Sequence, residues 1–422
     1  MSESEAGEGR SADVVSVAER LNTVISWVPA ELRSDPAASG PLSGVRIGVK
    51  DNIEVAGVRS TCGSEYFADR VASADAACVT ALKKAGGVIT STLNLAEFAV
   101  GVTSQNSASG GTVNPWAADR VPGGSSGGSG VAVAAGIVDV SLGTDTGGSI
   151  RLPAACCGVT GLRPSVGVLD MTGIFPVSAD FDTVGPLARS AALVRETFGV
   201  LAGADSAPLR SGSLRIALPW PFVTEDVDPA VRDAVVGAAD LLRDLGHSVV
   251  DVPVPHSASA QDVVYTLIYS DLAKTHAERL RDEPSRFQSA TRERILLGLS
   301  ISDGQVTAAR RQRDVFRAAT AELFDDVDVV LTPAMPADVP LLGGDDAVVA
   351  QARRMGQLTY PWSLHDGPTL ALPVGVHPSG MPIGAQLTAV KGGEGTLFAL
   401  AEQFQAQTDW HRRLPPVRVG VG

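Results

Sequence analysis

Positive charge is scarce in this chain and is nowhere gathered into a basic tract: 34 Lys+Arg stand against 47 Asp+Glu, a formal net charge of −13. A surface built for phosphate backbones or anionic headgroups is thereby excluded, because both need clustered cations. Cysteine is rare as well. The four present, Cys62, Cys78, Cys156 and Cys157, include an adjacent pair that cannot easily bridge to itself. None has the paired spacing of a zinc site, so they point to a reducing, cytoplasmic compartment. Long apolar runs are missing too. The longest, Val131 to Val140, carries Asp139 and is too short for a bilayer, which takes about 20 apolar residues. The opening MSESEAGEGR is acidic and polar, unlike the basic and then apolar start of an export signal.

What is there is material for a large core. Hydrophobic residues make up 44% and charged residues only 19% of 422, which excludes wholesale disorder and allows one large domain or two to three smaller ones. Residues 1–10 read as a disordered tail, and Ala12 to Trp27 carries Val15, Val17, Ala18, Leu21, Val24 and Ile25 at helical spacing. Val45 to Val49 alternates like a strand and ends at Lys50. A helix over Ala76 to Ala85, stopped by Gly86-Gly87, leads into a strand from Val88 to Ser91. Further on, strands are expected at Leu214 to Leu218, His247 to Val252, Val327 to Thr332, Thr369 to Val374 and Ile383 to Leu387. Helices are expected at Asp228 to Leu245, Val263 to Leu297 and Val306 to Leu323. Alternation of this kind favours an α/β sheet. The turn-rich Ala204 to Ser213 marks a possible boundary, but with no internal repeat or long linker one composite domain is the preferred reading.

Small residues dominate from Gly110 to Gly173, which suits backbone that turns sharply or approaches a ligand. Two runs stand out there, Gly123 to Gly130 (GGSSGGSG) and Gly143 to Arg151 (GTDTGGSIR). Each contains serine, and a serine hydroxyl becomes a nucleophile only with a base nearby and donors aimed at the developing oxyanion. Backbone N–H groups of Thr146, Gly147, Gly148 and Ser149 are suited to the second task. For the first, His247, His256, His276, His365, His377 and His411 are all remote in sequence. Gly123 to Gly127 formally satisfies G-x-S-x-G, yet Arg120-Val121-Pro122 stands where that elbow needs a buried strand. Lys50 is the other candidate base, and it qualifies only if burial removes its charge, since an ordinary ammonium cannot accept a proton at pH 7. Neither run holds G-K-[ST] or G-x-G-x-x-G, so phosphate and dinucleotide loops are disfavoured. The apolar sequence around both argues against flexible linkers.

Taken together, RIGVKDNI around Lys50, RVPGGSSGGSGVAVAAG from Arg120, GTDTGGSIRLPAACCGVTGLRPS from Gly143 and SADFDTVGPLAR from Ser178 resemble the amidase signature family of serine hydrolases. DVVLTPAMP from Asp328, GPTLALPVG from Gly367 and GMPIGAQL from Gly380 extend the likeness to the C-terminus. The resemblance implies one α/β domain over residues 11–422, with a mixed central sheet of about ten or more strands flanked by helices. Within it, 40–200 would be the catalytic core, 214–325 a helical pocket part and 326–422 the return of the sheet. It implies Ser149 as nucleophile, Ser125 as bridging serine after a cis peptide at Gly124, and Lys50 as base. Thr146, Gly147, Gly148 and Ser149 would supply the oxyanion hole. Ser126 and Asp145 would hold the loops, and Arg151 would pair with a buried carboxylate, for which Asp182 is one candidate. Recognition of an anionic substrate is the alternative for Arg151, while Cys156 and Cys157 read as small core residues. His365 and Asp366 depart from the family pattern and point to an altered pocket wall.

The implied activity is hydrolysis of a small carboxamide C–N bond through an acyl-enzyme, with no metal and no cofactor. The expected partners are a small-molecule amide and water, with no nucleic acid, no membrane and a possible homodimer. The alternative is the glutaminase component of a tRNA-dependent amidotransferase, active only with partner subunits. A catalytically silent scaffold is disfavoured by the presence of Lys50, Ser125 and Ser149 together.

Overall fold

The β-branched, alternating segments pair into one sheet of 11 strands in a computed structural model that describes residues 12–35, 37–203, 212–343 and 345–420. In chain order the strands are β1 (Val24–Trp27), β2 (Arg46–Lys50), β3 (Val88–Leu93), β4 (Val140–Asp145), β5 (Thr160–Arg163) and β6 (Thr183–Ala188). They continue as β7 (Arg215–Ala217), β8 (Ser248–Val250), β9 (Val329–Pro333), β10 (Thr369–Val376) and β11 (Pro382–Ala389). The spatial order is β1-β3-β2-β4-β6-β5-β10-β11-β9-β7-β8. Strands β3, β2 and β4 run parallel near one end, β9, β7 and β8 at the other, and antiparallel pairs join them. The expectation of a single α/β domain with a mixed sheet of this size is met. The residue 1–10 tail and most of the Ala204 to Ser213 boundary lie outside the described residues.

Helices cover both faces of the sheet. On one side α2 (Ala77–Lys84), α5 (Ala191–Ala202), α7 (Pro229–Asp244) and α13 (Glu394–Gln407) enclose a core that includes Ile47, Val49, Leu142 and Leu370. On the other, α1 (Ala12–Arg20), α3 (Gly127–Ala134) and α4 (Arg151–Cys157) pack with Leu93, Leu187 and Ala371. A lobe rich in aromatic residues is built from α8 (Ala260–Asp282), α9 (Ser289–Leu299), α10 (Asp303–Asp326) and α12 (Tyr360–Leu364). The remaining helices are α6 (Trp220–Thr224) and α11 (Asp345–Gly356). Each fully buried Val, Leu or Ile in these layers contributes about 1.5–3 kcal/mol.

Two boundaries differ from the sequence reading. The helix expected over Ala12 to Trp27 ends at Arg20, because Asn22 adopts a left-handed φ of 47°. Val24 and Ile25 then open strand β1, which pairs antiparallel with β3 along the sheet edge, where β-branched side chains fit better than in a helix. The long helical stretch from Val263 to Leu297 is two helices, broken around Pro284 as a missing N–H donor requires.

Strand periodicity aims the first functional side chain. Successive residues alternate faces, so with Ile47 and Val49 in one core, Gly48 and Lys50 turn toward the opposite layer, where α3 and α4 begin. A Cβ on Gly48 would lie 2.7 Å from the Leu93 side chain.

Candidate active site

Lys50 ends β2 fully buried. Its Nζ donates to Ser125 Oγ at 2.7 Å, to Thr144 Oγ1 at 2.8 Å and to the Thr144 carbonyl at 3.4 Å. Burial lowers its pKa from 10.5 to about 7, with the negative charges of Asp145 and Asp182 opposing part of the fall. At neutral pH the amine is therefore close to half unprotonated, as a general base must be.

Ser125 lies in the turn that opens α3, and the Gly124–Ser125 peptide is cis. Its carbonyl accepts from the Ala96 N–H at 3.0 Å and the Ser104 hydroxyl at 3.3 Å. Backbone packs so closely here that a Cβ on Gly124 would stand 2.6 Å from the Gly101 carbonyl oxygen. Ser126 ties the two serine loops together, its hydroxyl donating to the Thr144 carbonyl at 3.2 Å and its N–H to the Ser149 carbonyl at 3.3 Å.

Ser149 precedes α4 and lines a cleft with Thr146, Gly147, Ala99 to Val102, Tyr265, Tyr269, Arg294 and Tyr360. No hydrogen bond joins its hydroxyl to Ser125 among the described residues, so the Lys50–Ser125 contact is made and the second link of the relay is open. The 146–149 turn is shaped by Asp145. That carboxylate accepts from the Gly148 N–H at 2.8 Å and the Ile150 N–H at 3.0 Å, and meets Arg151 Nη2 at 3.0 Å and Arg163 Nε at 3.5 Å. Burial alone would raise its pKa, but the Arg151 and Arg163 guanidiniums hold the carboxyl well below the usual range. Gly148 has φ 133°, and a Cβ there would lie 2.5 Å from Thr359 Oγ1, so only glycine fits.

Several expected roles change. The Gly148 N–H is committed to Asp145, which removes it from the oxyanion set. The N–H groups of Thr146, Gly147 and Ser149 carry no hydrogen bond among the described residues and remain as donors at the cleft. Arg151 pairs with Asp145 instead of Asp182 and is fully buried, its other donors reaching the Thr359 carbonyl and Ser363 Oγ, both at 2.8 Å. It is thus shut away from any substrate. Asp182 accepts from the Thr146 hydroxyl at 2.6 Å and from the N–H groups of Val177 and Ser178. Burial pushes its carboxyl up to about 6 against those bonds. His365 and Asp366 do not line the cleft. Asp366 pairs with Arg313 and Arg317 of α10, and His365 Nε2 lies 2.9 Å from the Ala389 carbonyl, so α10 braces the core while α11 supplies the cleft residue Ala352. Cys156 and Cys157 are buried in the core with thiol pKa values pushed up by burial.

Sequence reasoning missed Thr144, whose hydroxyl also takes Asn52 Nδ2 at 3.3 Å, and it missed Arg294. The signal for Arg294 was visible, since α9 buries Ala290, Thr291, Arg294, Ile295 and Gly298, placing an arginine on the core-facing stripe. Among the described residues Arg294 makes no ion pair, and it is the one charged side chain lining the cleft.

A family model described as Amidase matches residues 19–398. The chain belongs to the amidase family. Like its relatives there, it is an enzyme acting on amide C–N bonds. It is 36% identical to the A subunit of glutamyl-tRNA(Gln) amidotransferase from Roseiflexus sp. (strain RS-1), over 92% of this chain and 88% of the relative. A solved structure described as an amidase superposes with TM-score 0.85 at 31% identity, covering 94% of each chain. The A subunit of glutamyl-tRNA(Gln) amidotransferase from Thermotoga maritima superposes with TM-score 0.83 at 25% identity, covering 97% of this chain and 94% of its own. These relatives overturn the expectation that a small amide and water, with at most a second copy of the chain, are the partners. The amidotransferase relatives carry the name of one subunit of a larger enzyme. Among the described residues no helix is long and apolar enough to cross a membrane.

Proposed function

We propose that this amidase is the amide-hydrolysing component of an amidotransferase-type assembly, working in the cytoplasm and releasing ammonia from a carboxylate-bearing amide such as glutamine. The observation that carries the chemistry is the buried Lys50 amine held 2.7 Å from Ser125 Oγ, with Ser149, Thr146 and Gly147 lining the cleft. Neutral Lys50 takes the Ser125 proton as Ser125 takes that of Ser149, once the Ser149 hydroxyl rotates toward it. Ser149 Oγ attacks the amide carbon, and the oxyanion forms against the N–H groups of Thr146, Gly147 and Ser149. The proton on Lys50 returns through Ser125 to the departing nitrogen. Water then cleaves the ester by the same path, leaving a carboxylate and the free serine.

Support for the acyl side comes from Arg294, a buried cation lining the cleft with no carboxylate partner among the described residues, which a substrate carboxylate would satisfy. The names of the relatives support the assembly. One observation favours a second reading of the substrate: among the described residues no acidic side chain lines the cleft to meet an α-ammonium, which suits the monoamide of a dicarboxylic acid better than glutamine. Ammonia release from glutamine and from glutaramate, measured for the chain alone and with the other components of an amidotransferase, separates these readings. A chain that releases ammonia from neither amide in either setting would refute the proposal.

A further inference from the structure

A carboxylate that takes no part in the relay lies fully buried behind the cleft. Glu97 accepts from Ser64 Oγ at 2.7 Å and from the backbone N–H of Gln288 at 2.9 Å, and the Thr291 side chain hydrogen-bonds to it. Gln288 is the N-cap of α9 and Thr291 lies in its first turn, and the same helix carries Arg294 one turn further along. Helix α9 has no side-chain cap of its own, so Glu97 supplies from outside an acceptor for the N-cap N–H, while burial pushes its carboxyl up to about 7.

Glu97 also belongs to the loop whose residues Ala99 to Val102 line the cleft. Val100 donates its N–H to the Glu97 carbonyl at 3.0 Å, and the Glu97 N–H reaches the Asn106 carbonyl at 3.2 Å. Asn106 Nδ2 in turn donates to the Val100 carbonyl at 3.1 Å and to Thr291 Oγ1 at 3.2 Å. Between these anchors Phe98 and Ala99 sit at left-handed φ values of 51° and 60°, a conformation that non-glycine residues keep only when their surroundings hold it. Ala99 to Val102 line the same cleft as Arg294. One buried acid thus ties the helix bearing the cation to a loop that lines the same cleft.

We infer that Glu97 is a positioning residue for substrate selectivity, holding α9 in the register at which Arg294 can receive a substrate's carboxylate. This rests on the reading that Arg294 binds that carboxylate. The chemistry at Ser149 is held separately, by Asp145 and Asp182.

The test uses the full chain and two fluorophosphonates of equal alkyl length, one ending in a carboxylate and the other in a methyl group, with labelling of Ser149 as the readout. The parent is expected to label faster with the carboxylate probe. E97Q should lower that preference at least tenfold by weakening saturation with the carboxylate probe, with the methyl probe changed less than threefold. T291V, a milder lesion on the helix side, should shift it in the same direction, and it carries the test if E97Q fails to fold. R294M serves as the control. A parent without any preference, or an R294M that keeps it, refutes the Arg294 reading. Loss of preference in R294M with full preference in both E97Q and T291V overturns the role given to Glu97, as does an equal slowing of both probes.

Discussion

Replacing Lys50 by alanine and following kcat/KM for ammonia release between about pH 5 and pH 9 tests the base directly. At the ordinary pKa of 10.5 an amine is neutral in roughly 3 parts in 10,000 at pH 7, whereas at the site's value of about 7 it is neutral in about half of the molecules. Burial therefore raises the working population roughly a thousandfold. In the parent, kcat/KM is expected to climb about tenfold per pH unit below the inflection and to level off above it. Lys50→Ala should lose about 10²–10⁴ of the rate and the inflection with it. The sign of the electrostatics offers a second check. Asp145 and Asp182 both stabilise the ammonium, so Asp182→Asn should move the inflection to lower pH. A parent profile flat across this range, an inflection that survives in Lys50→Ala, or an alkaline shift in Asp182→Asn would each refute the reasoning.

The same burial makes Lys50 a liability for the fold. Lys50→Met is expected to raise stability at pH 7 by about 2–4 kcal/mol, since about 5 kcal/mol of desolvation is relieved and two to three hydrogen bonds are lost. Between pH 7 and 10.5 the unfolded parent binds more protons than the folded one, so its stability rises with pH and the gap to the variant narrows, as denaturant midpoints would reveal. Ser149→Ala should abolish labelling by either fluorophosphonate and leave the melting temperature within a few degrees; labelling that persists at another serine contradicts the assignment. Asp145→Asn leaves Arg151 and Arg163 buried without their carboxylate and should cost about 3–5 kcal/mol of stability, which a calorimetric scan would show. Thr144→Val removes an acceptor from Lys50, so the acidic limb of the rate profile should move further down in pH, and an unmoved limb would mean that Thr144 does not stabilise the ammonium.

Strand and helix positions were largely legible because alternation and helical spacing are local properties, as at β2, α7 and β9. Where a residue could satisfy two local patterns, packing decided, and Val24 and Ile25 went to an edge strand that helical spacing alone would not reveal. Residue types at the site were legible for a similar reason, since glycine runs signal close backbone approach. Pairings were not. Which carboxylate meets Arg151 depends on how a turn closes, and Asp145, six residues away, reaches it where Asp182 was one candidate. Closure of that same turn takes the Gly148 N–H out of the oxyanion set. Arg294 was overlooked because its meaning lies in the cleft it faces, which the sequence of α9 does not describe.

The strand order has a bearing on how the enzyme is made. Strand β5 finds its second neighbour only in β10, about 200 residues later, and the acceptors that complete the Arg151 environment, Thr359 and Ser363, emerge from the ribosome just before it. Until then a nascent chain carries Lys50, Ser125 and Ser149 on a half-built sheet with an open flank, a state in which unpaired strand edges invite aggregation. Hydrolytic competence is thus withheld until β10 has been made, and interruptions of synthesis before β10 should yield chaperone clients in place of a truncated but active hydrolase.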